Sequence, residues 1–132
     1  MSKLETTNVY KFDPVVYPFK LWVTIADDVE LIVRRFRKLD GSKLSNIDGP
    51  FTGYTTGLIY EVRSGDLGVL VVFNPERGLK TSTIAHESSH VADKFWEEMG
   101  DDRIPSEANA YLVGWVAECC QKVINKFKID NK

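Results

Sequence analysis

Between residues 15 and 25 (VVYPFKLWVTI) β-branched and aromatic side chains crowd together, the composition of a strand, with Pro18 confining it to an edge position or a late start. Over residues 27–38 the spacing changes: Val29, Ile32, Val33 and Phe36 recur at helical intervals, with Arg34, Arg35 and Arg37 facing out, and Asp40-Gly41 ends the predicted helix. Residues 44–56 carry Gly49-Pro50 and Gly53 and read as a loop, long enough to overhang a cleft as a flap. Two strands follow, at 57–62 and 68–73, joined through Arg63-Ser64-Gly65-Asp66 as a hairpin. The second, GVLVVF, is apolar on both faces, as in a strand covered from both sides. Beyond a turn at Asn74-Pro75 and Gly78, a helix is expected from about 82 to 99, with Ser or Thr as N-cap and Gly100 as its stop. After a short loop at 101–105, Ser106 can cap a last helix running to about 127. Residues 1–13 are polar and aperiodic and read as an N-terminal arm, leaving 14–132 as one domain. The expected architecture is α+β: a small twisted sheet of about three strands, a helix before it and a helix pair packed on it.

Composition narrows the function. At 43% hydrophobic and 27% charged, the 132 residues can bury one core. Seventeen basic against 19 acidic residues give a net charge of -2, which argues against nucleic acid as a partner. The chain has no apolar run long enough for a membrane span, and its first residues lack the pattern of a secretory signal. Its two cysteines, Cys119 and Cys120, are neighbours and make neither a disulfide framework nor a zinc tetrad. A reducing, cytoplasmic setting is therefore expected. The two thiols read as buried small apolar groups, and Trp96, Trp115, Leu112 and Val123 as core.

The chemistry concentrates in Ile84-Ala85-His86-Glu87-Ser88-Ser89-His90, a His-Glu-x-x-His segment inside a predicted helix. Residues four apart share a helical face, so His86 and His90 can offer ring nitrogens to one point, with Glu87 beside them to take a proton from water. The chain has only two histidines; scattered at random they would fall four apart with odds of about 1.5%, so coincidence is a poor account of the motif. His86, His90, Asp93 and Glu97 form a polar face, distinct from the apolar stripe of Ile84, Val91, Phe95 and Met99. Zinc would need a third protein ligand and an open position. With no histidine left, a carboxylate must serve. Glu107, 17 residues after His90 in the first turn of the last helix, is the best candidate, where the helix dipole favours its charge. Ala110 and Gly114 continue its face and would allow close approach to the histidine helix. Glu97, Glu98, Asp101 and Asp102 are less well placed substitutes.

His86-Glu87-x-x-His90 followed by Glu107 in an E-A-x-A-Y helix resembles the gluzincin group of zinc metallopeptidases, in particular its minimal bacterial and phage members. The likeness is specific over residues 82–118 and architectural over 15–75. It implies a zincin-like fold and one zinc ion on His86, His90 and Glu107. Glu87 would be general base and then proton donor, and the substrate a peptide or protein. Gluzincins often use a His or Tyr beyond the third ligand to stabilise the oxyanion; Tyr111 is the nearest such residue, with Arg103 or Tyr54 as alternatives and a core role for Tyr111 equally open. Asp93 could orient His90. The resemblance further implies that the strand at 68–73 pairs with an extended substrate, whereas its composition favours a covered strand. A different class of function is open too: a non-catalytic zincin-like binding or regulatory protein, such as a phage accessory protein.

Overall fold

A computed structural model describes residues 8–44, 51–100 and 106–132. The predicted connection at 101–105, part of the predicted loop, and residues 1–7 of the arm lie outside this range, as do the candidates Asp101, Asp102 and Arg103. Among the described residues the order is β1 (Val9–Phe12), β2 (Lys20–Ile25), α1 (Glu30–Val33), β3 (Phe36–Lys38), β4 (Gly53–Thr55), β5 (Ile59–Glu61), β6 (Leu67–Phe73), α2 (Thr81–Met99) and α3 (Ser106–Asp130). The α+β class is as expected, but among the described residues the sheet has six strands rather than about three.

The sheet is built around β6. It pairs in parallel with β2, from Lys20↔Gly68 to Ile25↔Phe73. Its other edge is shared end to end by β5, at Ile59↔Gly68, and by β4, from Gly53↔Phe73 to Thr55↔Val71. Period-two alternation then divides the apolar residues between two faces. Leu21, Val23, Val69, Val71 and Phe73 face α2 and α3, where they meet Val91, Phe95, Val116 and Ile124. Trp22, Leu70 and Val72 face the other way and are covered by Val29, Ile32, Val33 and Phe36. This double covering is why GVLVVF has no polar face.

Two stretches fold differently from expectation. Residues 27–38 make one helical turn, α1, and then extend as β3 against β5. Val29, Ile32, Val33 and Phe36 are all buried as the periodicity requires. A single turn followed by an extended Phe36 satisfies that burial as well as a helix would. Asp40-Gly41, expected to end a helix, instead turns the chain after β3: Gly41 has φ +87, and the Lys38 amide donates to the Ser42 carbonyl. Within the arm, Val9–Phe12 forms a strand antiparallel to β2.

The helices follow the sequence closely. α2 stops at Gly100, whose φ of +71 is the left-handed C-cap expected of glycine. At its start the cap is Lys80, with no side-chain hydrogen bond, so Thr81 and Ser82 lie inside the helix rather than capping it. α3 runs to Asp130. The pair is antiparallel: Trp96 Nε1 donates to Asn109 Oδ1 at 3.0 Å near one end, and Cys120 lies beside Ser88 further along. No helix of the described residues is long and apolar enough to cross a membrane.

Candidate metal centre

Helical geometry places the three residues of the motif in two environments. The buried stripe of α2 is Ile84, Glu87, Ser88, Val91, Ala92, Phe95 and Trp96, so Glu87 falls on it one turn after Ile84. His86, His90, Asp93 and Glu97 occupy the opposite, exposed face. The side chain of His86 is 66% exposed and that of Glu87 only 5%.

The two imidazoles converge. Their rings stand nearly perpendicular, at 84° with centroids 4.6 Å apart, and the two Nε2 atoms are separated by 3.1 Å. Two nitrogens on one tetrahedral zinc at the usual bond length lie about 3.3 Å apart, so the pair fits the bite of a single ion. Glu87 Oε2 lies 3.8 Å from His86 Nε2, on the side of the pair toward the sheet.

What holds Glu87 comes from β4. Gly53 and Thr55, pairing with Phe73 and Val71, turn toward the helix face of the sheet, while Tyr54 packs on the other side. Thr55 Oγ1 donates to Glu87 Oε1 at 2.7 Å. A Cβ built on Gly53 would stand 2.9 Å from Glu87 Cγ and 3.0 Å from Oε2. The loop expected at 44–56, read as a flap over the cleft, contributes instead a strand beside the motif, and with it two residues, Gly53 and Thr55, whose contact with Glu87 the sequence did not show. Nothing local marks Thr55, which is 32 residues from Glu87.

β6 is hydrogen-bonded along both edges, so the pairing with substrate implied for residues 68–73 is closed to it. β4 is the strand of the sheet nearest the motif.

Glu107 is not brought to the histidines in this arrangement. α3 buries Leu112, Val116, Cys119, Cys120, Val123 and Ile124, and Glu107, Tyr111, Gly114 and Glu118 fall together on its opposite, exposed face. The antiparallel pairing sets the level. His90 lies six residues before Trp96 on α2, about 9 Å of helix rise, and Glu107 precedes Asn109 by two residues toward the far end of the pair. Among the described residues no three His, Cys, Asp or Glu side chains gather around a common metal position. Gly114, read from sequence as an approach point between helices, has nothing within 4 Å of where its Cβ would be. Tyr111 is 76% exposed, which removes the core alternative for its ring. Asp93 is exposed beside His90's face, and no hydrogen bond joins the two.

Behind the motif, Ser88 Oγ is buried without a hydrogen-bond partner of normal geometry, next to the Cys120 thiol. Burial pushes the Cys119 thiol up to about 11 and that of Cys120 up to about 12, so both are protonated, packing groups rather than ligands.

No protein-family model, curated protein or solved structure matches the chain.

Proposed function

We propose that the protein is a zinc-dependent metallopeptidase of minimal, gluzincin-like type, cleaving a peptide or protein substrate. The observation that carries this reading is the pairing of two exposed imidazoles, converged to 3.1 Å, with a buried carboxylate held at their side. His86 and His90 would hold the ion; Glu107, which the gluzincin pattern supplies as third ligand, is not brought to them in this arrangement and would join them only if α3 moved relative to α2. When bound, zinc would supply a water of pKa about 7 and polarise the substrate carbonyl. Glu87 takes the proton of the attacking water and passes it to the leaving amine. Its Oε1 is occupied by Thr55, which leaves Oε2, the oxygen nearer His86, for that exchange. Tyr111, the residue the gluzincin pattern would give to the oxyanion, lies on the same exposed face of α3 as Glu107 and depends on the same movement of that helix.

The exposed position of Glu107 in the first turn of α3 favours a second reading, a zincin-like binding module without turnover. Metal content and activity separate the two. Protein purified without added metal should carry one zinc per chain, lost in His90→Ala; a matching loss in Glu107→Gln would mean that zinc draws Glu107 in from its exposed position on α3. Glu87→Gln should keep the zinc and lose cleavage of a quenched fluorescent peptide pool by about a hundredfold or more. A wild type that takes up no zinc at neutral pH refutes the peptidase. One that binds zinc but cleaves nothing is the binding module.

A further inference from the structure

We infer that Thr55 and Gly53 of β4 are positioning residues for Glu87, one fixing its carboxylate by a hydrogen bond and the other by the absence of a side chain. The inference rests on the peptidase reading above. A glutamate has three side-chain torsions, and a general base works only from a defined place relative to the water it deprotonates. Helix α2 alone does not supply that definition, because it fixes only the Cα–Cβ direction.

β4 supplies the rest. Its register against β6 turns Gly53 and Thr55 to the same face, two residues apart, so that they bracket the Glu87 side chain. Thr55 Oγ1 holds Oε1 at 2.7 Å. Opposite it, the space beside Cγ and Oε2 exists because residue 53 lacks a Cβ. The left-handed backbone of Gly41, Gly65 and Gly100 is not shared by Gly53, so its glycine is explained by this close approach and not by a turn. Burying a carboxylate is costly unless it is hydrogen-bonded, and the threonine that offsets part of that cost also selects which oxygen is left free.

The test uses Thr55→Val, which keeps the shape and removes the donor, Thr55→Ser, which keeps the donor, and Gly53→Ala, which fills the space on a backbone that accepts alanine. Each is measured for zinc content, for kcat and KM on the quenched peptide pool, and for Glu87 conformation by crystallography. Thr55→Val should retain zinc and KM, lose kcat about tenfold, and show Glu87 spread over more than one conformer. Thr55→Ser should restore both kcat and the single conformer. Gly53→Ala should displace the Glu87 side chain and lower kcat with zinc retained. Unchanged kcat in Thr55→Val and Gly53→Ala, or a Glu87 that stays in place without the Thr55 hydroxyl, overturns the inference while wild-type turnover keeps the peptidase reading intact. Zinc-loaded wild type without turnover removes the peptidase reading and the positioning role together. Glu87 conformation in Thr55→Val then still reports whether the contact itself holds.

Discussion

Gly114→Ala decides between two pictures of the last helix. If Gly114 let α3 approach the histidine helix closely, an added methyl would overpack the contact and destabilise the fold by about 1–3 kcal/mol. The structure puts Gly114 on the exposed face of α3, with nothing within 4 Å of the place a Cβ would take and a helical backbone that alanine adopts freely. Only helix propensity then remains, and it favours alanine over glycine by about 0.8–1.0 kcal/mol. The two accounts therefore differ in sign as well as size. For a domain of this length the expected gain corresponds to a rise in Tm of about 3–5 °C, read by circular dichroism on protein stripped of metal. Zinc uptake by the variant should match the wild type. A fall in Tm, or a loss of zinc binding, would refute the placement of this face in solvent, and with it the argument that Glu107 lies away from the histidines.

Two further outcomes follow from the packing. A Cβ on Gly68 would stand 2.2 Å from the Lys20 carbonyl oxygen and 2.7 Å from Trp22 Cζ3, so Gly68→Ala must part β6 from β2; we expect a loss of about 3 kcal/mol or more in urea unfolding, and a loss under about 0.5 kcal/mol would contradict the parallel register. Folding holds both thiols protonated past their ordinary value near 9, so the unfolded chain releases these protons first: the thiol contribution to stability is complete below about pH 9 and is lost as pH rises toward 11 and 12. Cys120→Ala should flatten that alkaline decline, and native protein should react with a thiol reagent at about pH 8 only as fast as it unfolds.

Legibility in the sequence depended on whether the deciding interaction was local. Residues 68–73 declared a doubly covered strand because alternation cannot place polar residues where both faces are buried, and Gly100 declared a helix end because its conformation belongs to glycine. The stretch 27–38 misled for the same kind of reason. Helical spacing of Val29, Ile32, Val33 and Phe36 states which residues are buried, not how the chain turns between them, and pairing with β5 drew Phe36 into a strand. The histidine pair was legible from a spacing of four. Thr55 and Gly53 were not, since their relation to Glu87 exists only once β4 has paired with β6. The level of Glu107 was equally hidden: it depends on how far along each other two helices are docked, which Trp96 and Asn109 set.

Glu87 is the residue on which a structural and a chemical account of the motif diverge most sharply. Position 87 lies on the buried stripe of α2, between Ile84 and Val91, where a helix meant only to pack would carry an apolar side chain. A carboxylate there loses hydration, and the hydrogen bond from Thr55 offsets only part of the cost. Removing the charge while keeping the shape should therefore leave stability unchanged or raise it. In Glu87→Gln the amide oxygen still accepts from Thr55, so metal-free Tm should hold or increase while peptide cleavage collapses. That opposition is what a functional residue shows when it is kept at the expense of the fold. If instead Glu87→Gln lowered stability by more than about 2 kcal/mol, the carboxylate would be a structural anchor between α2 and β4, and the chemical reading of the motif would lose its main support.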